Sequence, residues 1–307
     1  MQSPKSFLMA AMSAVAFLFV TAVLSPISAM AINIATCNPT FVANVAGGAY
    51  VVTANLVPAA NTNCIVVTAP GVTINLNGHT LTGAGGAPGV GILIQPTAAG
   101  AHILGGLAIS AFSFGIVDLA NSALLEGLTV NGNLNDGVLM QAVDGSVLDS
   151  SSLTANGGSG AHLLNTKDCI VKYNTAIFGN KVYGVWIQGT VAGGSLDNIV
   201  AANSFVPAGV VNPQLAGVWV GANPGAPLGC GGAVPASTGN IIVANTNVNN
   251  NAVVGIGLQC ITATNNTVTD NRAAGNVAFD VFDGNPACDA NSWVADVFVK
   301  KNQACVN

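Results

Sequence analysis

The sequence predicts an all-β chain, a right-handed parallel β-helix of about seven or eight coils. Three observations carry this expectation. Charged residues make up only 6% of the chain, against about 25% in ordinary globular proteins. No stretch after the N-terminal segment keeps a helical apolar period, whereas short β-branched runs alternate with Gly- and Asn-rich turns throughout. Finally, a strand pattern of Gly followed by apolar, any, apolar recurs at a nearly constant interval.

The first segment stands apart. Lys5 precedes an apolar run from Phe7 to Leu24, then Pro26 and the small residues up to Ala31. That order is the order of a secretory signal peptide cleaved after Ala31. The alternative is an uncleaved membrane anchor, for which the run is barely long enough. Residues 1–31 are therefore expected to be a leader and residues 32–307 a single domain, with no membrane span once the leader is removed. A secreted or periplasmic location follows from this expectation.

The repeat reads Gly91-Ile92-Leu93-Ile94, Gly137-Val138-Leu139-Met140, Gly160-Ala161-His162-Leu163, Gly184-Val185-Trp186-Ile187, Gly217-Val218-Trp219-Val220 and Gly255-Ile256-Gly257-Leu258, with Gly115-Ile116-Val117-Asp118 a weaker copy. Steps from Gly91 through Gly184 are 24, 22, 23 and 24 residues, and the next two are 33 and 38. A second marker precedes most copies by ten residues: Gly105, Gly127, Ser150, Asn174 and Asn245. Asn203 and Asn271 fill the same role, and Asp280 stands where the last Gly is expected. One such unit cannot bury its own apolar side chains, but stacked units make a continuous core. Propeller blades are about twice as long as this period, and sandwich strands do not keep a two-marker register. Asn at the markers suits left-handed turns and hydrogen bonding along a stack. The two long steps locate inserts, around 206–216 and 221–239; inserts in solenoids project from one face, often the binding face. Residues 32–70 and 284–307 are expected to cap the open ends.

Seven cysteines in an exported chain imply disulfides. Chain order suggests Cys37 with Cys64, Cys230 with Cys260 and Cys288 with Cys305, although six cysteines allow fifteen pairings. Cys169, beside Ile170-Val171, is left over as a buried free thiol. Removing Lys5 leaves six basic against twelve acidic residues, which argues against nucleic acid as a partner.

The segment Leu76-Asn77-Gly78-His79-Thr80-Leu81-Thr82-Gly83, preceded by Gly71-Val72-Thr73-Ile74-Asn75, resembles the opening coil of exported bacterial β-helix repeat proteins of the pectin lyase-like superfamily. Asn285-Pro286-Ala287-Cys288 through Trp293, with Gln303-Ala304-Cys305, resembles their closing segment. This resemblance implies a carbohydrate partner and a polysaccharide lyase, hydrolase or epimerase as enzyme classes. A non-catalytic envelope or extracellular module is the alternative, since fold alone does not fix function.

Alternation sends the third residue of each repeated strand outward. Three successive coils then place His162, Trp186 and Trp219 in one row, with Gln141, Gln188 and Gln259 beside it. An aromatic row flanked by amides suits sugar rings. The competing expectation is that the two indoles merely pack beneath the inserts. Catalytic candidates are His162, Tyr183, Lys181, Asp168 and Asp197, with Arg272 available to neutralise charge. His79 and His102 are expected to be structural. Glycoside hydrolysis needs a carboxylate pair, and none is recognisable. No cofactor and no metal site are expected; Ca2+ remains open because oxygen ligands can come from separated turns. The chain is expected to be a monomer.

Overall fold

The computed structural model describes residues 31–307, apart from 86–88, 191, 206–213, 222–235, 260–262 and 289. The leader expected at 1–31 and the inserts therefore lie almost wholly outside the described residues, as do Cys230 and Cys260.

The chain winds as a parallel β-solenoid of about 9 turns. Its strands stack into walls of 11, 10 and 5 strands, with a further two-stranded piece. One coil illustrates the plan: Val138–Gln141 lies in the ten-stranded wall, Val147–Asp149 in the eleven-stranded wall and Ser152–Thr154 in the five-stranded wall. Register follows the repeat. Ile116 lies opposite Val138, then Ala161, Val185, Val218, Ile256 and Val281, one residue per coil. All seven are buried in the solenoid interior.

The number of turns exceeds the seven or eight expected. The segment 32–70, assigned to a cap, is itself coiled. Ile32–Ile34 and Ala49–Val52 join the eleven-stranded wall, and Phe41–Ala43 and Ile65–Val67 join the ten-stranded wall. These strands lack the Gly marker and are separated by short polar interruptions, so the repeat does not extend visibly into them.

The marker glycine has a steric cause. A Cβ on Gly160 would lie 2.7 Å from the carbonyl oxygen of Gly184, and one on Gly184 would lie 2.5 Å from that of Gly217. Coils approach too closely here for any side chain. Asp280 replaces Gly in the last copy, as Gly255 pairs with it in register.

The asparagines form ladders through the interior corners. In the series Asn174, Asn203, Asn245, Asn271, the backbone N–H and Nδ2 of each residue donate to Oδ1 of the next at 2.8–3.1 Å. A second series runs Asn198, Asn240, Asn266, Asn291, and a third Asn133, Asn156, Asn180. All of these side chains but that of the half-buried Asn291 are buried, and the left-handed backbone expected of Asn174, Asn203, Asn245 and Asn271 belongs instead to the residue before each: Tyr173, Ala202, Ala244 and Asp270, with φ of 53 to 58°. Gly105, Gly127 and Ser150 align with those corner residues rather than with the asparagines. The second marker thus merged two adjacent columns.

Each ladder residue accepts from the coil before and donates to the coil after, so a ladder needs an acceptor at its end. Asp296 accepts from Asn271, Asp283 from Asn291, and Asp280 from Asn276, which itself accepts from Asn251 in a further short ladder. Three of the chain's scarce acids are thereby committed to structure.

Disulfides join Cys37 to Cys64 and Cys288 to Cys305, one near each end. Cys169 is a buried free thiol. It occupies the column between Ser146 and Asn198, and burial pushes its thiol up to about 12. Among the described residues, no helix is long and apolar enough to cross a membrane.

Candidate functional site

The strands Val138–Gln141, Ala161–Leu164, Tyr183–Gln188 and Ala216–Val220 are neighbours in the ten-stranded wall. Their register places Leu139, His162, Trp186, Trp219 and Gly257 in one row. The row faces away from the interior, as alternation requires, but it is not an open aromatic bed.

Trp219 is buried. Its ring lies between those of Tyr183, at 5.7 Å and 13°, and Phe282, at 6.4 Å and 17°. A Cβ on Gly257 would fall 2.4 Å from the indole, so the absence of a side chain there makes room for Trp219. With Ala216 and Val254 these rings form a second hydrophobic cluster outside the solenoid interior, against which Trp186 packs. Trp219 therefore presents no open face as a sugar platform, because stacked coils bring aromatic faces onto each other and bury them.

Trp186 is half-buried. The imidazole of His162 covers one face of its indole, with ring centres 4.1 Å apart and planes at 9°. Tyr183 meets it edge-on at 5.4 Å, and its Nε1 donates to the carbonyl of Gly221 at 2.9 Å. One face of Trp186 is therefore taken by His162, and its Nε1 is already bonded.

His162 is held at both nitrogens. Nδ1 lies 3.0 Å from Oδ2 of Asp136, and Nε2 lies 2.9 Å from Oε1 of Gln188. Oδ1 of Asp136 accepts from the backbone N–H of Ser159. Asp136, His162 and Gln188 thus form a continuous polar chain across three coils. Asp136 escaped the sequence analysis. Its signal was its place immediately before the marker Gly137, and 26 residues before His162: one coil plus the three residues separating the start of a strand from its outward position.

The remaining candidates separate. Tyr183 does join His162 and Trp186, but its hydroxyl is buried with no hydrogen-bond partner among the described residues, and burial holds its phenol well above the usual range. It is not suited to act as a base. Asp168 and Asp197 are exposed corner residues with φ of 51 and 56° at the entrance to the eleven-stranded wall. They stack with each other, as Cys169 and Asn198 do beside them, and not with His162; the left-handed corner explains why Asp occupies both positions. Asp168 also pairs with Lys167 at 3.4 Å. Lys181 is exposed on the turn before the Tyr183–Gln188 strand. Gln141 is exposed on the outer face, whereas Gln259 is buried and presents nothing to a ligand. Arg272 lies elsewhere, lining a hollow of about 280 Å³ with Asn247, Asn249 and Val297. His102 bonds Glu126 at 3.2 Å in the eleven-stranded wall. Among the described residues, no group of three or more His, Cys, Asp or Glu is placed to hold a metal ion.

No protein-family model and no curated protein matches the chain. Solved structures of similar backbone include the Dettilon tailspike protein (13% identity, TM-score 0.48), of which the chain spans 60% while 87% of the chain is covered. The A-module of mannuronan C-5 epimerase AlgE6 of Azotobacter vinelandii is similar at 12% identity and TM-score 0.49, over 89% of this chain and 87% of the module. An alginate lyase from Paenibacillus sp. is similar at 14% identity and TM-score 0.46, over 81% of this chain and 93% of the lyase. All three are β-helix proteins.

Proposed function

We propose that the chain is a glycan-binding β-helix protein that works outside the cytosol, and that its contact surface is the outer face of the ten-stranded wall around Asp136, His162, Gln188 and Trp186. The polar chain Asp136–His162–Gln188 beside the half-buried indole of Trp186 carries this reading. Buried carboxylate–imidazole pairs are costly unless well bonded, and the solenoid itself has no need of one here: the equivalent outward positions on neighbouring coils hold Leu139 and Val117. Most other described acids have a structural task as ladder ends, corner residues or partners of His102 and Lys172. Exposed Gln141 adds a donor and an acceptor within reach of hydroxyls. Disulfides support a compartment more oxidising than the cytosol.

A non-catalytic structural module is the second reading, and the burial of Trp219 favours it. Titrating the purified chain with a panel of polysaccharides, followed by calorimetry and tryptophan fluorescence, separates the two. Unsaturated and reducing ends are assayed separately. Binding that weakens in Gln141→Ala supports the glycan reading; silence across the panel sinks it. Sedimentation of the same sample reports whether the chain is the monomer we expect.

A further inference from the structure

Resting on that reading, we infer that the ligand of this face is an uncharged polysaccharide, bound without being cleaved or epimerised. The basis is where the molecule puts its cations. Apart from Lys5, the sequence holds only six Lys and Arg residues. Lys167 and Lys172 pair with Asp168 and Asp149 at 3.4 and 3.2 Å. Lys300 and Lys301 donate through Nζ to the carbonyls of Asn276 and Val306 at 2.6 and 2.7 Å. Arg272 lines the separate hollow beside Val297. Lys181 is exposed on the turn that enters the Tyr183–Gln188 strand of the proposed surface, whereas Lys172, on the coil of His162, lies in the eleven-stranded wall.

The side chains that do face a ligand are two amides, an imidazole and a carboxylate. Asp136 and His162 either cancel as an ion pair or leave one negative charge, so the surface is neutral or acidic. A uronan presents a carboxylate on every residue, and setting one against Asp136 costs desolvation and repulsion with no cation to offset them. Hydroxyls have no such penalty and match the donors and acceptors of Gln141 and Gln188. The inserts at 206–213 and 222–235 add no Lys, Arg, Asp or Glu in sequence, so they do not alter this balance.

The same inventory bears on chemistry. Abstracting the proton beside a uronate carboxylate requires that its charge be neutralised as it builds up. Hydrolysis requires a second carboxylate at a defined distance from the first. Among the described residues, Asp136 is the one carboxylate bonded to the outward row.

The test is equilibrium binding by the full mature chain to a mixed-linkage β-glucan, a galactomannan and a dextran, against alginate and polygalacturonate, with and without Ca2+ and at low and high salt. The expected result is binding to at least one neutral polymer, insensitive to salt, weakened about tenfold by Gln141→Ala and unaffected by Lys181→Gln. Uronans should neither bind nor gain unsaturated ends or altered residues. Tighter binding to alginate or polygalacturonate than to every neutral polymer overturns the inference while leaving glycan binding intact, and its loss in Lys181→Gln would identify the cation responsible. New ends from any polymer overturn it as well. If no polymer binds, the glycan reading itself fails and takes this inference with it.

Discussion

The imidazole of His162 lies flat against the indole of Trp186, 4.1 Å between ring centres, while its Nδ1 reaches Asp136 at 3.0 Å. His162 is 7% exposed, so it is a packed element of the outer face as well as its chief polar group. His162→Ala should therefore cost stability, about 3 kcal/mol, because it strands the Asp136 carboxylate. The double variant Asp136→Asn/His162→Ala should recover part of that loss. Urea unfolding of both single variants and the double gives the coupling directly; strictly additive losses would show that the pair is not coupled.

The three tryptophans should differ sharply in their access to solvent. Trp219 and Trp293 are 1% and 4% exposed, whereas Trp186 is half-buried. Acrylamide quenching should find one accessible fraction, and Trp186→Phe should abolish it. Trp219→Ala should instead destabilise by about 3–5 kcal/mol, the usual cost of emptying a buried aromatic site. Quenching that survives in Trp186→Phe would place another indole at the surface.

Gly184→Ala should be severe. Its methyl would sit 2.5 Å from the Gly217 carbonyl oxygen and 2.7 Å from the Phe205 ring. The first clash is with backbone, so one coil must lift from the next and break parallel-sheet hydrogen bonds. Loss of more than about 3 kcal/mol is expected, beyond the range of ordinary substitutions. Thermal unfolding of this variant beside Gly193→Ala, where a Cβ meets nothing nearer than 3.6 Å and the backbone is not left-handed, separates close packing from Gly entropy.

The repeated glycine is also why so much of the fold was legible from the sequence. Period and steric need coincide at Gly91, Gly137, Gly160 and Gly184, and the outward row of His162, Trp186 and Trp219 follows from counting. Exposure did not follow. Alternation says that Trp219 points away from the interior, but whether Tyr183 and Phe282 then cover it depends on ring orientation, which spacing does not encode. Asp136 was missed for a related reason. It precedes the marker instead of occupying the row, and only the chain's turn onto the wall brings it to His162. The asparagine ladders were legible as residue types, but their one-residue offset from the left-handed corners needed backbone angles.

Asp283 offers a test of the ladder-end principle. Its Oδ1 accepts from the backbone and side-chain nitrogens of Asn285, and its Oδ2 from Asn291 and the Trp293 indole. All four partners are donors, so a group that accepts at both ends is required. Asp283→Asn keeps the shape but turns an NH2 toward two N–H groups. It should therefore destabilise nearly as much as Asp283→Ala, by about 2–4 kcal/mol for the donors left unpaired. Chemical unfolding decides: a neutral Asp283→Asn would mean that shape, not acceptance, holds this end together.

Asp118 should make stability fall as pH rises. It takes the inward position held by Ile94 and Met140 on the flanking coils, with Oδ1 bonded to the Ala120 N–H and the carboxyl beside the Ser146 hydroxyl, neither of which offsets its burial. Burial raises its carboxyl from 3.8 to about 6. Below pH 3.8 both folded and unfolded chains hold the proton, and the group contributes nothing. Between the two values only the folded chain keeps it, so each step upward in pH favours unfolding. Above about pH 6 both states are ionised and the full penalty, about 3 kcal/mol, is in place. Asp118→Asn removes the ionisation while preserving size. Urea midpoints measured from pH 3 to 8 should therefore drop across this window in the natural chain and stay flatter in the variant, with the largest gain at the alkaline end. Parallel curves would mean that the folded protein pays no such penalty, and that water or a rearranged neighbour solvates the Asp118 carboxylate.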